Sequence, residues 1–284
     1  MELSTSLNVY GNRFQDYKAC IFRGSRCGFR YFDFNPCDYQ NGHTFYTDEN
    51  WRNNIKEIKN YADSLGVTFF QSHGETNYKS PDRDSLVKKS IEAAAAAGVQ
   101  WTVLHTLGVQ SENAEERIEK NIGFFSPFVQ FAKELGVGIA IENNPHRIYW
   151  YGERIEESGF YKADELIVLC DALNTQFSNV GICWDTGHAN LAGDTQDTEL
   201  LKLGKRLKVT HIADNHKQFD DHMPPFFGSA DFRKIAAALN AIGYAGTLNF
   251  ETHRFTAGLP DELLDPAVEF LYKIGKYTLG MFAE

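Results

Sequence analysis

Four stretches decide the fold: GVGIAIEN (136–143), NVGICWDT (179–186), RLKVTHIA (206–213) and AGTLNFET (245–252). Each is a short run rich in apolar and β-branched residues, and a longer segment with helical periodicity or a long loop follows it. This alternation is typical of repeated β-α units built around a parallel sheet. Each run also carries an acidic residue or a histidine near its end: Glu142, Asp185, His211 and Glu251.

Four similar runs precede these, at LSTSLNV (3–9), CGFRYFDF (27–34), GVTFFQSH (66–73) and GVQWTVLHT (98–106). Helices are predicted near 51–65, 81–97, 112–135, 163–175, 196–204, 229–242 and 260–278, and the helix between the first two strands is poorly defined. Eight units in 284 residues predict an α/β protein of the (β/α)₈ TIM barrel type, which takes roughly 250 residues. No Pro/Gly/Ser-rich linker divides the chain, so we expect one domain over residues 1–284.

Charge and cysteine content restrict the partners and the compartment. The net charge of −10 argues against binding to nucleic acid or to an anionic membrane, because both need a basic surface. Five cysteines without a C-x-x-C pair indicate reduced thiols. The chain has neither a signal-peptide pattern nor an apolar run of about 18 residues, so a cytoplasmic location is expected.

The histidines are distributed unevenly. None of the nine falls in a predicted helix, and six lie at strand ends or in the loops that follow: His73, His105, His188, His211, His222 and His253. In a barrel the carboxyl ends of the strands meet at one face. Three carboxylates at that face would repel one another without a cation. We therefore predict one divalent ion, Mn²⁺, Zn²⁺, Mg²⁺ or Co²⁺, bound by Glu142, Asp185, His211 and Glu251.

The strand-end motifs carry a resemblance to a known family. IENNP (141–145), WDTGHAN (184–190), THIADN (210–215), DDHMPPFFGSADF (220–232) and NFETH (249–253) resemble the xylose isomerase-like TIM barrel superfamily, in its sugar phosphate isomerase/epimerase branch. That branch includes tagatose 3-epimerase-type enzymes, hydroxypyruvate isomerase and inosose dehydratase. Two departures concern the loop after the seventh strand. Where some epimerases have an arginine, this chain has His216, Lys217 and His222, and in place of the commoner Gly-Glu-Gly form it has Phe226, Phe227 and Gly228.

The resemblance implies a metal-dependent isomerase or epimerase whose partner is a small carbohydrate. It assigns Glu142 and Glu251 as metal ligands and as the acid/base pair that moves a proton through a metal-stabilised cis-enediolate, a chemistry that a cation and positioned carboxylates favour. It implies substrate contacts from the remaining conspicuous histidines, His73, His105, His188 and His222. The sequence does not determine whether the chain forms a homo-oligomer.

Two alternatives remain. The branch is related to endonuclease IV, and the same positions match its multinuclear zinc ligands in order, with additional metals bound through His73, His105, His188, Asp220 and His222. The acidic charge of the chain weighs against such a phosphodiesterase, and no nucleic acid is expected as a partner. A sugar dehydratase of the inosose dehydratase type would use the same metal site.

Overall fold

Eight parallel strands form the barrel that the sequence predicts. The computed structural model describes residues 1–10, 16–36, 48–150, 153–156, 159–193 and 195–282, without the side chains of 147–156. The barrel strands are β1 (Glu2–Ser6), β2 (Tyr31–Phe34), β3 (Thr68–His73), β4 (Trp101–Leu104), β5 (Gly138–Glu142), β8 (Val180–Asp185), β9 (Leu207–His211) and β10 (Thr247–Phe250). Their order is β10-β1-β2-β3-β4-β5-β8-β9. Hydrogen bonds from Ile212 N to Asn249 O (2.7 Å) and from Glu251 N to Ile212 O (3.2 Å) bring the two ends of the sheet together.

The helices lie between the strands, as predicted. They are α1 (Tyr17–Arg26), α2 (Trp51–Ser64), α3 (Arg83–Ala97), α4 (Ala114–Glu134), α5 (Ala163–Asn174), α6 (Thr186–Ala192), α7 (Gln196–Leu203), α8 (Phe232–Ala241) and α9 (Asp261–Gly280). Asn113 is the N-cap of α4, and its side chain accepts from the amides of Glu115 (2.8 Å) and Glu116 (3.4 Å). The chain passes from α8 toward β10 through a left-handed glycine, Gly243 (φ 66°).

Two elements that lie within loops, the strand pair after β5 and the short helix after β8, were not predicted from the sequence. The segment after β5, where the sequence predicts neither a strand nor a helix, contains an antiparallel pair of β6 (Arg147–Trp150) and β7 (Glu153–Glu156). The segment after β8 contains α6, which has 7 residues. An element of two turns is too short to show helical periodicity, and a hairpin over an irregular segment gives only a weak alternation.

The barrel interior is layered, and this positions the site. Side chains two residues apart on a strand point to the same face. One apolar layer consists of four residues on adjacent strands: Val103, Ala140, Cys183 and Val209. The next inward positions toward the carboxyl ends are His105, Glu142, Asp185 and His211. On the side of β4, β5, β8 and β9, these polar residues therefore lie directly above a small apolar layer.

No helix among the described residues combines the length and the apolar composition that crossing a membrane requires.

Candidate functional site

The four predicted ligands meet at the carboxyl end of the barrel. Glu142, Asp185 and His211 are the last residues of β5, β8 and β9, and Glu251 directly follows β10. One nitrogen or oxygen from each lies within 4.8 Å of those of the others. His211 Nδ1 is 2.7 Å from Glu142 Oε1 and 3.3 Å from Glu251 Oε2. All four side chains are buried, and the strand ends bring them together.

Asp185 is held by the turn from β8 into α6. It is the N-cap of α6, and its Oδ1 accepts from the amide of His188 at 2.6 Å. Asn143, which directly follows β5, also holds Asp185, because its side chain accepts from Asp185 N (2.6 Å) and donates to Asp185 O (3.0 Å). The Asp-Thr-Gly-His motif is therefore a strand-to-helix turn. It also corrects the prediction that no histidine lies in a helix, since His188 is in the first turn of α6.

The donor set fits a divalent cation. Glu142 Oε2 and Asp185 Oδ2 are buried and have no hydrogen-bond partner among the described residues. Such burial is costly for a carboxylate unless a cation neutralises it. Burial raises the pKa of Asp185 and that of Glu251. Burial also acts to raise the pKa of Glu142, but the imidazoles beside it outweigh burial and hold that pKa well below its usual range. One imidazole nitrogen and several carboxylate oxygens suit Mn²⁺, Zn²⁺, Mg²⁺ or Co²⁺.

Two histidines flank Glu142 on the side of β3 and β4. His73 Nε2 and His105 Nε2 lie 3.5 and 3.4 Å from Glu142 Oε2, and they are 3.2 Å from each other. Burial lowers the pKa of His105 to about 4, which favours the neutral imidazole. Both rings thus offer nitrogen atoms next to the shared carboxylate.

A second group flanks the site on the side of the loop after β9. His188 Nε2 and His222 Nε2 lie 3.4 and 2.9 Å from Asp220 Oδ2. His222 has φ 45°, a left-handed conformation that costs on the order of 1–3 kcal/mol in a non-glycine residue. The backbone bridge between Asp214 and Met223 (2.8 and 3.2 Å) follows it directly and holds it in place. Each of the four histidines predicted to contact substrate therefore lies beside a carboxylate of the site.

A groove of about 460 Å³ opens beside these groups. Its lining includes His105, His188, Tyr78, Lys79 and Asn144. The side chain of His105 is 28% exposed, so a molecule in the groove can reach the histidines. The volume lies within the range of small-molecule sites.

Some residues singled out from the sequence lie elsewhere. His216 and Lys217 are exposed on the surface. Phe226 packs edge-on against Phe232 and Tyr277, with ring centroids 5.6 and 5.7 Å away, and Phe227 packs against two further aromatic rings. The two phenylalanines of the DDHMPPFF segment thus pack on α8 and α9 and do not line the groove.

A polar layer beneath the site, on the side of β2, β3 and β10, was not predicted from the sequence. Asp33, Gln71 and Asn249 are buried there, and Asp33 Oδ2 accepts from both amides. Gln71 lies two residues before His73, and Asn249 lies two residues before Glu251. The two-residue period of a strand would have identified both, since polar residues inside an apolar strand must face a partner. His253, whose ring centroid is 4.2 Å from that of His222, also joins the site.

The fold and the site define a class: a TIM barrel with a candidate metal centre at the carboxyl ends of its strands. The family follows from the sequence comparison. The chain belongs to the xylose isomerase-like TIM barrel family, whose model matches residues 23–274.

Individual relatives agree with this assignment. A ketose 3-epimerase of Arthrobacter globiformis is 25% identical over 177 residues, which cover 62% of this chain and 50% of that protein. The chain spans about half the length of the curated relatives it matches. Among solved structures, a D-tagatose 3-epimerase-like protein has a TM-score of 0.76 at 20% identity, with 100% of this chain and 98% of that chain covered. The IolI protein, solved with a zinc atom, has a TM-score of 0.72 at 17% identity, with 100% and 98% covered.

Proposed function

We propose that this chain is a divalent-metal-dependent isomerase or epimerase of a small sugar, built as one domain. The observation that carries the proposal is the convergence of Glu142, Asp185, His211 and Glu251 within 4.8 Å, beside a groove. These four residues would hold the ion. The ketose 3-epimerase among the relatives supports a keto-sugar as substrate.

A bound divalent ion would supply positive charge that stabilises negative charge developing on the substrate oxygens. The proton transfers fall to the chain itself. Glu142 and Glu251 come from different strands, so one carboxylate can remove a proton from the carbon beside a carbonyl and the other can return it. Inversion of that carbon requires groups on both of its faces, and a pair of glutamates provides them.

The histidines would bind and orient the substrate. His105 and His188 line the groove, and each offers a ring nitrogen next to a site carboxylate. An imidazole N–H donates to a hydroxyl oxygen, and the neutral ring of His105 can also accept from a hydroxyl group, which suits a polyhydroxy substrate. The groove volume of about 460 Å³ favours a small sugar over a polymer.

A multinuclear phosphodiesterase is the second candidate. The observation in its favour is that the flanking groups complete two further ligand sets: His73 and His105 with Glu142, and His188 and His222 with Asp220. Clustered ions would activate water and neutralise a phosphate. The net charge of −10 weighs against a nucleic-acid substrate, because affinity for nucleic acid depends on phosphate neutralisation by basic residues.

One experiment separates the candidates. Purified protein is analysed for metal per chain, then incubated with Mn²⁺, Zn²⁺, Mg²⁺ or Co²⁺ and a panel of ketoses, and the products are identified by NMR. We expect one ion per chain and epimerised or isomerised product that disappears on chelation. Loss of water from a substrate would indicate the dehydratase alternative. Three ions per chain, with incision of abasic DNA and no sugar turnover, would replace the proposal with the phosphodiesterase.

A further inference from the structure

Beneath the site, one buried carboxylate faces His211 from the side opposite the other acids. Asp33, in β2, is 1% exposed, and its Oδ2 lies 3.4 Å from His211 Nε2. Gln71 Nε2 and Asn249 Nδ2 donate to the same oxygen at 2.9 and 3.0 Å. Two amides, one from β3 and one from β10, therefore hold this oxygen in a fixed position against the imidazole.

The two nitrogens of His211 have different surroundings. Nδ1 faces Glu142 and Glu251 at 2.7 and 3.3 Å, and Nε2 faces Asp33. A neutral imidazole carries one hydrogen, and a nitrogen that binds a metal carries none. The proposed ion requires the lone pair on Nδ1, so the hydrogen must stay on Nε2. An acceptor at Nε2 favours that arrangement, and the Asp33 carboxylate is an acceptor with its position already fixed.

We propose that Asp33 is a positioning residue that keeps the hydrogen of His211 on Nε2 and directs the Nδ1 lone pair toward the metal. The inference rests on the proposed metal site and adds a residue that does not itself bind the ion. Hydrogen-bonding partners of metal-binding histidines fix the ring orientation and raise the basicity of the ligand.

A purely structural role explains the arrangement less well. Asp33 Oδ1, Gln71 Oε1 and Asn249 Oδ1 are buried and have no hydrogen-bond partner among the described residues. His211 Nε2 is likewise buried without such a partner, and Asp33 Oδ2 is the acceptor that faces it at 3.4 Å. Each such atom costs stability. A cluster that served only to join β2, β3 and β10 would be more stable with apolar side chains of similar volume. The stability lost by burying these atoms is offset if the Asp33 carboxylate accepts the hydrogen on His211 Nε2.

The test compares Asp33→Asn with Glu199→Gln. Glu199 is a matched control, since it is also buried and its carboxylate accepts from the Ala163 amide at 2.8 Å, in contact with none of the proposed ligands. Zn²⁺ affinity is measured by chelator competition, and the melting temperature of the metal-free protein is recorded. We expect Asp33→Asn to bind Zn²⁺ about 10–100-fold more weakly without a lower melting temperature, and Glu199→Gln to keep the affinity of the original protein.

A second readout reports on the ring itself. In the Zn²⁺-loaded protein with ¹⁵N-labelled histidine, we expect a downfield, hydrogen-bonded proton on His211 Nε2, assigned by its absence from His211→Asn. Asp33→Asn should move this proton upfield, because a neutral amide is a weaker acceptor than a carboxylate. A merely structural Asp33 would leave the signal unchanged.

The outcomes separate this inference from the proposed function. If the original protein binds no divalent ion, both fail. If it binds Zn²⁺ and Asp33→Asn keeps both the affinity and the Nε2 proton signal, or if the hydrogen is found on Nδ1, only the role of Asp33 is overturned. Should Asp33→Asn not fold, Gln71→Met decides instead. It removes one of the two donors that orient Asp33, and unchanged Zn²⁺ affinity would overturn the inference.

Discussion

Replacing Glu251 with glutamine should nearly abolish turnover while leaving most metal binding intact. Glutamine keeps the side-chain size and one oxygen ligand but cannot accept the substrate proton. Loss of a general base costs on the order of 10²–10⁴ in rate, which is about 3–5 kcal/mol at about 1.4 kcal/mol per tenfold. Glu251 touches His211 Nδ1 at 3.3 Å and is slightly exposed, at 8%, so its loss should disturb few neighbours.

Glu142→Gln should lose the same turnover and more metal affinity. Its carboxylate is fully buried and lies within 4 Å of four histidines, His73, His105, His188 and His211. A neutral amide there removes the carboxylate charge that these four imidazoles face. The two variants are therefore compared at saturating metal, so that a difference in rate reports proton transfer.

The assay is deuterium incorporation from heavy water at the carbon next to the carbonyl, followed by NMR on a panel of keto-sugars. The original protein should incorporate deuterium during turnover, and Glu199→Gln should behave like it. Substrate conversion without any exchange, together with near-normal rates in both Glu142→Gln and Glu251→Gln, would refute the acid/base assignment.

Three further outcomes are expected. Chelation should lower the melting temperature by about 5–10 °C. A ligand at 100 times its Kd contributes about 2.7 kcal/mol of stability, and each kcal/mol shifts the melting temperature by about 2–4 °C in a protein of this size. An unchanged calorimetric transition would argue against a resident ion. Asn143→Ala should lower the free energy of unfolding in urea by about 2 kcal/mol, since it leaves the buried amide and carbonyl of Asp185 without their partner. It should also weaken metal binding about 10–100-fold, and unaltered metal affinity would contradict this role of Asn143. Arg117→Met should lower the free energy of unfolding by about 2 kcal/mol, because Arg117 pairs with both oxygens of Glu165 at 3.1 and 2.7 Å in a largely buried site. A double-mutant cycle with Glu165→Gln that shows no coupling would contradict this prediction.

The number and type of the main elements could be predicted because their signals are local. Strands of four to six residues with apolar inward positions, and helices of ten or more residues with an apolar face, leave a periodicity that the sequence displays. The strand-end residues Glu142, Asp185, His211 and Glu251 were predictable for the same reason. Each follows an apolar strand, and the geometry of a barrel brings such positions together wherever the strands are correctly identified.

Only the tertiary structure decided which side chains contact one another across strands. The hydrogen bonds of Asp33 to Gln71 and Asn249 join residues 38 and 216 positions apart, and nothing in a local window of sequence indicates them. The packing of Phe226 on α8 and α9 was equally open, because an aromatic ring in a loop is suited to either a ligand or a helix face. Local periodicity determines which face of an element is buried, whereas contacts between distant segments depend on strand register and loop path, which the sequence by itself leaves open.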